Sequence, residues 1–563
     1  MRNSRIFLIV LTILNSGICV GSAFAQEGFE FGEEEVGDEF DFSADEPAAP
    51  SPPSAPPSAT EEPSEMAFGA EEAVVGGVAT AADKKKMQLG LQAIKEKKFM
   101  PGAVAMYDVL KTPAVELHQS AEYNLAKSLY KVELYRSSLY YFIKIANAGE
   151  GHKNFTGAFQ WMLLLARNVG DKYKVIQTLS KFQNVSIPEK LRPEFAFYMA
   201  QFHVLRRDYD TARQYIVQVE KNTPFYPKVR FLEATIQFYE AKFEEAVETF
   251  KEVIQLTDPD SGEFKDPELR DKAFLVLARI HYAHKQFNAA LFYYSKISIE
   301  SPDWVEVMFE GSWALMQLGR YERSLGNLLT LHSPYFKDYY NPESIILKAV
   351  DYYENCRYID SAKIANDFIA NYNAIYEKLT EQLGKLQKPM DFYNFILRSR
   401  AHALFSGDET TVFTKIVGLA LTDREFRTLN KSIREIDEEI RKIKSLPAFF
   451  RSSPLGIHLV KALEEDKNRL KELAGEAAKQ AFAKETRVIK DLIGQAYRIR
   501  LETTSKIREE TMALIRGRKL ATAMTRKHFS PAVPEQYEFW PFDGEYWRDE
   551  LGNYEYVLMR TCR

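Results

Sequence analysis

The side chains able to do chemistry are few and dispersed. The chain has 563 residues, with nine histidines and three cysteines among them. His281 and His284 would share a helix, but no carboxylate stands beside them at metal-ligand spacing. Cys356 and Cys562 lack that spacing too. The HExxH zinc pattern, the GxSxG nucleophile turn, the GxxxxGK(S/T) phosphate loop and the GxGxxG dinucleotide turn are all absent. Paired acids such as Glu464-Glu465 fall on what reads as the exposed face of a coiled coil. The expectation is a protein that is not an enzyme, with no catalytic residue, bound metal or cofactor.

What remains is a question of architecture, and the N-terminus frames it. Arg2 and Arg5 precede an apolar run from Ile6 to Leu14, and Ala23-Phe24-Ala25 is an A-x-A cleavage site. This is the pattern of a secretory signal peptide spanning residues 1–25. The apolar run is shorter than the roughly 20 residues that span a bilayer. The reading is therefore an exported, periplasmic protein without stable membrane insertion. Export removes Cys19 and leaves Cys356 and Cys562 in a compartment that permits disulfides. Two readings stay open: a bridge tying the C-terminus to the last helical repeat, or two unpaired thiols.

Residues 26–83 contain no Lys or Arg and sixteen acids. The whole chain carries −5; losing Arg2 and Arg5 makes that −7, and the residues beyond the leader then carry +9. Pro47 to Pro63 is a Pro/Ser/Ala linker. Such composition cannot bury enough apolar surface to offset its ordering entropy, so a disordered acidic leader is expected. Phe29, Phe31, Phe40 and Phe42 alternate with acids in it and read as a docking motif, as a tail that folds back on the basic body, or as part of a plain solubilising spacer.

The strongest signal is a repeat over residues 84–376. An aromatic residue is followed three later by a small one and four beyond that by an apolar one: Tyr135-Ser138-Phe142, Tyr209-Ala212-Ile216, Phe243-Ala246-Phe250, Phe287-Ala290-Tyr294 and Tyr321-Ser324-Leu328. Weaker copies begin at Phe99, Tyr173 and Tyr358, and the leading aromatics lie 36, 38, 36, 34, 44, 34 and 37 residues apart. The long interval matches a turn-rich insertion at Thr257–Asp266. Offsets of three and four place the three side chains on one helix face. Nine residues before the aromatic stands another small residue, at Ala126, Ala200, Ala234, Ala278, Ser312 and Ala349, which marks a preceding helix. Pro224 and Pro302 are read as ending two of the second helices. Each unit is an antiparallel helix pair that buries its apolar face only by stacking.

These residues resemble the tetratricopeptide repeat (TPR) family, whose unit is about 34 residues. The family's first-helix tryptophan and glycine are mostly absent. The resemblance implies an all-α solenoid whose first helices line a concave groove that binds extended peptides or helices. Carrying the register over gives Tyr123, Lys127, Tyr130, Trp161, Phe197, Gln201, Phe231, Thr235, Phe238, Lys272, Arg279, Tyr282, Phe309, Trp313 and Tyr353 as groove residues. That set suits an apolar or aromatic peptide with some acidic character. The plain alternative is packing between repeats.

Residues 377–420 read as a helical connector and 421–530 as a coiled-coil hairpin. Phe426, Leu429, Ile433, Ile436, Ile440 and Ile443 form a heptad seam, with Thr422 and Glu425 as its capping box. A second helix from about Leu455 towards Lys519 carries Leu459, Leu463, Leu470, Leu473, Ala477, Ala481, Val488, Leu492 and Ile499 along one stripe. The seam implies either a hairpin within a monomer or a coiled-coil dimer. Residues 531–563 form an aromatic tail, with two short strands expected at Glu545–Glu550 and Tyr554–Arg560, docked on the helices.

The resulting expectation is a scaffold or adaptor of a Gram-negative cell envelope, whose partners are other envelope proteins. The plan looks most like the large periplasmic repeat proteins of predatory or gliding bacteria, so a component of an envelope-spanning motility or secretion machine is one alternative to the adaptor reading. A protein whose aromatic tail binds peptidoglycan or another glycan is a second alternative. Nucleic acid is not an expected partner, since the basic excess is diffuse. N-terminal sequencing of the protein recovered from its host envelope should begin at Gln26; a chain beginning at Met1 would contradict the export reading.

Overall fold

A computed structural model describes residues 77–169, 172–182, 187–260, 262–336, 339–406, 412–516, 542, 544–556 and 558. The signal peptide and almost all of the acidic leader lie outside them, as do Cys562 and residues 517–541. Among the described residues the chain is all-helical, with twenty-one α-helices and no strand beyond one isolated bridge between Gly77 and Ala114.

Sixteen helices form eight antiparallel pairs: α1 (Ala81–Lys95) with α2 (Phe99–Leu110), α3 (Val115–Lys131) with α4 (Tyr135–Ala148), α5 (Phe155–Asn168) with α6 (Lys172–Leu179), and α7 (Arg192–Leu205) with α8 (Tyr209–Ile216). The series continues with α9 (Tyr226–Tyr239) and α10 (Phe243–Leu256), α11 (Pro267–Ala283) and α12 (Phe287–Tyr294), α13 (Trp304–Gln317) and α14 (Tyr321–Leu331), then α15 (Glu343–Glu354) and α16 (Tyr358–Lys385). Seven of the eight recurring aromatics open a second helix, and Tyr173 sits one residue inside α6.

Two local devices make these pairs. The first is a tight turn. Two residues before seven of the aromatics the chain enters the left-handed region, at Lys97, Glu133, Arg207, Ala241, Lys285, Gly319 and Cys356. At Ala241 the amide bonds back to Phe238 O at 3.0 Å and that of Lys242 to Gln237 O at 2.9 Å, the paired bonds of a Schellman motif. Only one of the seven is glycine, so six pay a backbone cost that the neighbouring packing must offset. The second device is the pair of small residues. Ser138, Ser324 and Ser361 donate to the carbonyls of Ala126, Ser312 and Ala349 at 2.9, 3.1 and 2.7 Å. In these three hairpins the two small residues face each other, and a larger side chain at either would hold the helices apart.

The prolines do not end the second helices. α8 stops at Ile216 and α12 at Tyr294, well before Pro224 and Pro302. The chain leaves each helix through short-range bonds such as Gln218 N–H to Tyr215 O at 3.0 Å and Lys296 N–H to Tyr293 O at 3.1 Å. Pro302 instead lies in the approach to α13.

Five further helices close the array: α17 (Pro389–Ser406), α18 (Val412–Thr422), α19 (Arg424–Ser445), α20 (Ala448–Arg451) and α21 (Pro454–Ile515). The cap of α19 is Asp423, one residue past the expected Thr422; its Oδ1 accepts from Phe426 N–H at 3.1 Å, and because Phe426 has no side-chain acceptor to bond back, the expected capping box does not form. Ser453 caps α21, accepting from Gly456 N–H at 3.1 Å. α19 lies antiparallel to the start of α21, with Lys467 on Asp437 at 2.9 Å and Lys444 on Glu464 at 3.9 Å.

The 62 residues of α21 run on far beyond that pair. Its buried side chains are shared among α16, α17, α18 and α19, not held by α19 alone. Phe482 packs against Phe392 at 5.4 Å, Phe395 at 6.3 Å and Phe413 at 6.4 Å between ring centroids. His458 stacks on Tyr107 of α2, while Tyr497 accepts from Asn373 of α16 at 3.3 Å. One continuous helix thus touches the first hairpin and the last. Of the expected stripe, Leu473 is exposed, because its side of α21 faces away from these helices.

α19 is also pinned to the repeats by a carboxylate. α4 begins after Leu134, which has no oxygen to cap the free N–H groups of the first turn. Glu439 supplies it from 302 residues away, accepting from Arg136 N–H at 2.8 Å, Ser137 N–H at 2.8 Å and Ser137 Oγ–H at 2.6 Å. Burial pushes this carboxyl up, against the bonds from Ser137 and Arg136 that favour its charged form. Arg136 in turn holds Glu435 through Nε and Nη2 at 3.1 and 2.9 Å.

The two expected strands of the tail are absent among the described residues. Arg548–Glu550 form a 3-10 turn, and the chain beyond it runs against α14 instead of pairing with itself.

Where α21 meets α17 the approach is closest at Gly475: a Cβ there would stand 1.9 Å from the carbonyl oxygen of Pro389. Gly494 has nothing within 4 Å of the same position. Gly475→Ala should therefore destabilise the protein by about 1–3 kcal/mol, while Gly494→Ala should stabilise it by up to ~1 kcal/mol through helix propensity. Chemical denaturation of both variants checks this, and equal effects would contradict the packing described.

Candidate partner-binding face

The first helices of successive hairpins touch one another, α7 with α9 and α13 with α15. They carry all fifteen residues of the expected groove. Tyr123, Lys127 and Tyr130 are on α3, Trp161 on α5, Phe197 and Gln201 on α7, and Phe231, Thr235 and Phe238 on α9. Lys272, Arg279 and Tyr282 follow on α11, Phe309 and Trp313 on α13, and Tyr353 on α15. Trp161, Phe197, Phe231, Thr235, Arg279, Tyr282, Phe309 and Trp313 are buried; the other seven are half-buried. Several of the buried rings pack within or between hairpins: Phe231 meets Phe250 of its own hairpin edge-on at 5.1 Å, and Trp161 stacks on Phe142 of the preceding hairpin at 6.1 Å.

Two polar clusters stand out on this face. The first joins α3 to α5. Lys127 Nζ lies 5.2 Å from the Tyr123 ring centroid and 5.6 Å from that of Trp161, and Lys131 Nζ lies 5.7 Å from Trp161. Trp161 Nε1 donates to Tyr123 OH at 3.3 Å, which fixes both rings, and Asn168 donates to Tyr130 OH at 3.2 Å. Neither lysine has a carboxylate within ion-pair distance among the described residues. Burial, and then the charge of Lys131, pull the Lys127 ammonium below its ordinary range. The result is a pair of unneutralised cations over an aromatic floor, held in part by cation–π attraction.

The second cluster spans α11, α13 and α15. Arg279 reaches Glu310 Oε1 through Nε at 3.1 Å and Nη2 at 2.9 Å, and its Nη2 also meets Glu306 at 3.3 Å. Tyr294 OH donates to Glu310 at 2.7 Å. Lys272 is matched by Glu268 at 2.6 Å. The cations expected to serve a ligand here are thus already paired. Glu343 adds a further acid, and burial pushes its carboxyl up to about 7. The hydroxyl of Tyr282, Nε1 of Trp313 and Nε2 of Gln317 are buried without a hydrogen-bond partner. This end of the face is acid-rich, with unused donors.

The sequence reading missed these acids, although a signal existed. Glu306 and Glu343 each stand six residues before the small residue of their first helix, the register that Lys272 occupies on α11. It also missed Lys131, one turn beyond Lys127. Cys356 is disulfide-bonded at the left-handed turn after α15, and its partner lies outside the described residues. No cluster of three or more His, Cys, Asp or Glu suited to a metal occurs among the described residues, and none of their helices is long and apolar enough to cross a membrane.

No family model matches the chain, and no curated protein matches it. Among solved structures, the crystal structure of the apo form of RapI aligns with 69% of this chain and 98% of its own at 12% identity. Its TM-score of 0.27 is too low to carry an argument.

Glu343 makes a pH signature. The carboxyl ionises near 4.5 when free and near 7 when folded. The unfolded chain therefore releases its proton first, and stability falls as pH rises from about 4.5 to about 7, then levels. Glu343→Gln should flatten that segment. Denaturant midpoints of both proteins at pH 5 and pH 8 test it; an identical pH dependence would contradict the burial of this group.

Proposed function

We propose that the protein is an exported interaction scaffold of the TPR type, which holds a partner segment on its first-helix face in the periplasm of a Gram-negative cell. The observation that carries this reading is the Lys127–Lys131 pair above Tyr123 and Trp161. Lys127 is half-buried and has no counter-charge among the described residues, a costly arrangement, and the exposed Lys131 adds a second positive charge beside it. A ligand carboxylate would relieve that cost, and the adjacent rings would take an apolar or aromatic neighbour. An acidic, aromatic peptide of another envelope protein has that chemistry. The paired acids at the far end of the face would repel such a ligand, which sets its direction along the array. No step of chemistry is assigned to the face.

A second reading concerns the tail. Trp547 and Phe542 are 54% and 43% exposed, and Phe542 meets Tyr546 at 5.1 Å. Exposed aromatics of this kind suit a glycan strand, and sedimentation with purified peptidoglycan that is lost in Trp547→Ala would support that role.

For the principal reading, the tagged protein is used to capture partners from envelope extract of the producing cell. Charge reversal at Lys127→Glu with Lys131→Glu should reduce the captured partner at least tenfold at about 0.15 M salt, with the helical signal unchanged. Equal capture by the variant would remove the reading.

A further inference from the structure

The seat formed by Lys127 and Lys131 has a candidate occupant within the chain itself. Residues 29–42 read FEFGEEEVGDEFDF, with four phenylalanines, seven acids and no base. That is the acidic, aromatic chemistry this end of the first-helix face is fitted to take. The seat itself is built wholly from described residues of α3 and α5. The occupant lies outside them, and the case for it stands on charge, on hydration and on reach.

Charge and hydration single out this seat among the basic groups of the first hairpins. Lys84 has Glu116 at 3.9 Å, Lys98 has Glu96 at 2.8 Å and Lys144 has Glu122 at 2.8 Å. Lys85 and Lys86 are exposed, so they keep their water and gain little from a partner. Lys127 is half-buried, and no carboxylate among the described residues lies within ion-pair distance of it. It has therefore given up part of its hydration without a counter-charge. Lys131 stands one turn further on, also over the Trp161 ring, at 5.7 Å from its centroid. Tyr123 and Tyr130 are half-buried beside the lysines and present ring surface on which a phenylalanine can pack.

Reach is satisfied by the point at which the leader joins the fold. Gly77 N–H donates to Pro113 O at 2.8 Å, and Gly77 bridges to Ala114, the residue before α3. The leader thus enters at the N-terminus of the helix that carries both lysines. Lys127 and Lys131 lie 12 and 16 residues beyond Val115, about 18 and 24 Å along the helix at ~1.5 Å per residue. Phe42 precedes Gly77 by 35 residues, a span of up to about 120 Å at ~3.5 Å per residue. A tethered segment meets its seat at an effective concentration set by the tether and not by the abundance of a partner.

We propose that residues 29–42 dock on the Lys127–Lys131 seat of their own molecule, as an internal stand-in for the partner segment. A leader carboxylate supplies the counter-charge that Lys127 lacks, and the phenylalanines flanking it cover the tyrosine rings. Taken with the partner reading above, on which this consequence rests, an incoming segment must displace the leader. Its apparent affinity is reduced by the fraction of molecules whose seat is already filled.

Carbodiimide joins a carboxylate directly to a lysine in contact with it, with no spacer. It is applied to the purified full chain, mixed with an equal amount of a heavy-isotope copy, at about 0.15 M salt. The dominant links should join Lys127 or Lys131 to acids of residues 29–42 within one isotope form. Links that favour Lys84 to Lys86, links spread evenly over the exposed lysines, or links mainly between the two isotope forms would each overturn the docking. This measurement needs no partner, so it stands or falls apart from the capture experiment. Deleting residues 26–46 removes nothing from the described fold. It should raise capture of the partner from envelope extract at least fivefold, the low end of ordinary coupling between ligands. Capture unchanged by the deletion, while Lys127→Glu with Lys131→Glu abolishes it, would overturn the docking and leave the partner reading intact.

Discussion

Helix α21 is too long to be covered by any one partner, and the rest of the structure is arranged around that fact. A helix of 62 residues extends about 93 Å at 1.5 Å per residue. Its apolar side chains must be removed from water along most of that length. α19 covers the beginning, α17 and α18 the middle, and α16 the remainder. Because α16 is also the second helix of the last hairpin, the cover cannot be built without the repeats. Because His458 stacks on Tyr107, the first hairpin is held at the opposite end of the same rod. A stack of hairpins would otherwise be free to flex hairpin by hairpin, since each contacts only its neighbours. The rod fixes the span between first and last, and so fixes the curvature of the first-helix face between them.

The interactions at the crossing points are of the kind that tolerates little change. Gly475 lets α21 approach the backbone at Pro389. Glu439 takes the place of a cap that α4 does not carry in its own sequence. A buried carboxylate is a costly group, and it is retained where it satisfies several donors at once. Here it satisfies three, two of them amides at a helix N-terminus where negative charge is favoured. The same logic explains Glu310, which is buried only because Arg279 and Tyr294 use both of its oxygens.

The hairpins were legible in the sequence because their determinants are local. An aromatic, a small residue and an apolar residue at fixed offsets identify a helix face, and the second small residue nine before identifies its partner. The turns between them were not legible, since left-handed residues are Lys97, Glu133, Arg207, Ala241, Lys285 and Cys356, with glycine only at Gly319. Side-chain identity says little when the turn is imposed by the packing on both sides of it. The heptad of α19 correctly marked one apolar face but not what covers it. That choice depends on contacts some 300 residues apart, such as Glu439 with Ser137. The tail misled for a similar reason. Alternating aromatics read as strands, yet the backbone bonds went to α14, where Gly326, at which a Cβ would stand 1.6 Å from Tyr554 O, was the sole local hint. On the candidate face, register placed Lys127, Tyr123 and Trp161 together, but could not show that Arg279 and Lys272 are already neutralised.

The central claim is that the rod makes the end hairpins and the C-terminal helices one cooperative unit. Hydrogen exchange across a urea series, resolved by peptide, tests it most directly. The account predicts that amides of α2 and α4 lose protection at the same urea concentration as those of α16 and α21. Loss of protection in α17 to α21 at lower urea, with α2 and α4 still protected, would contradict it.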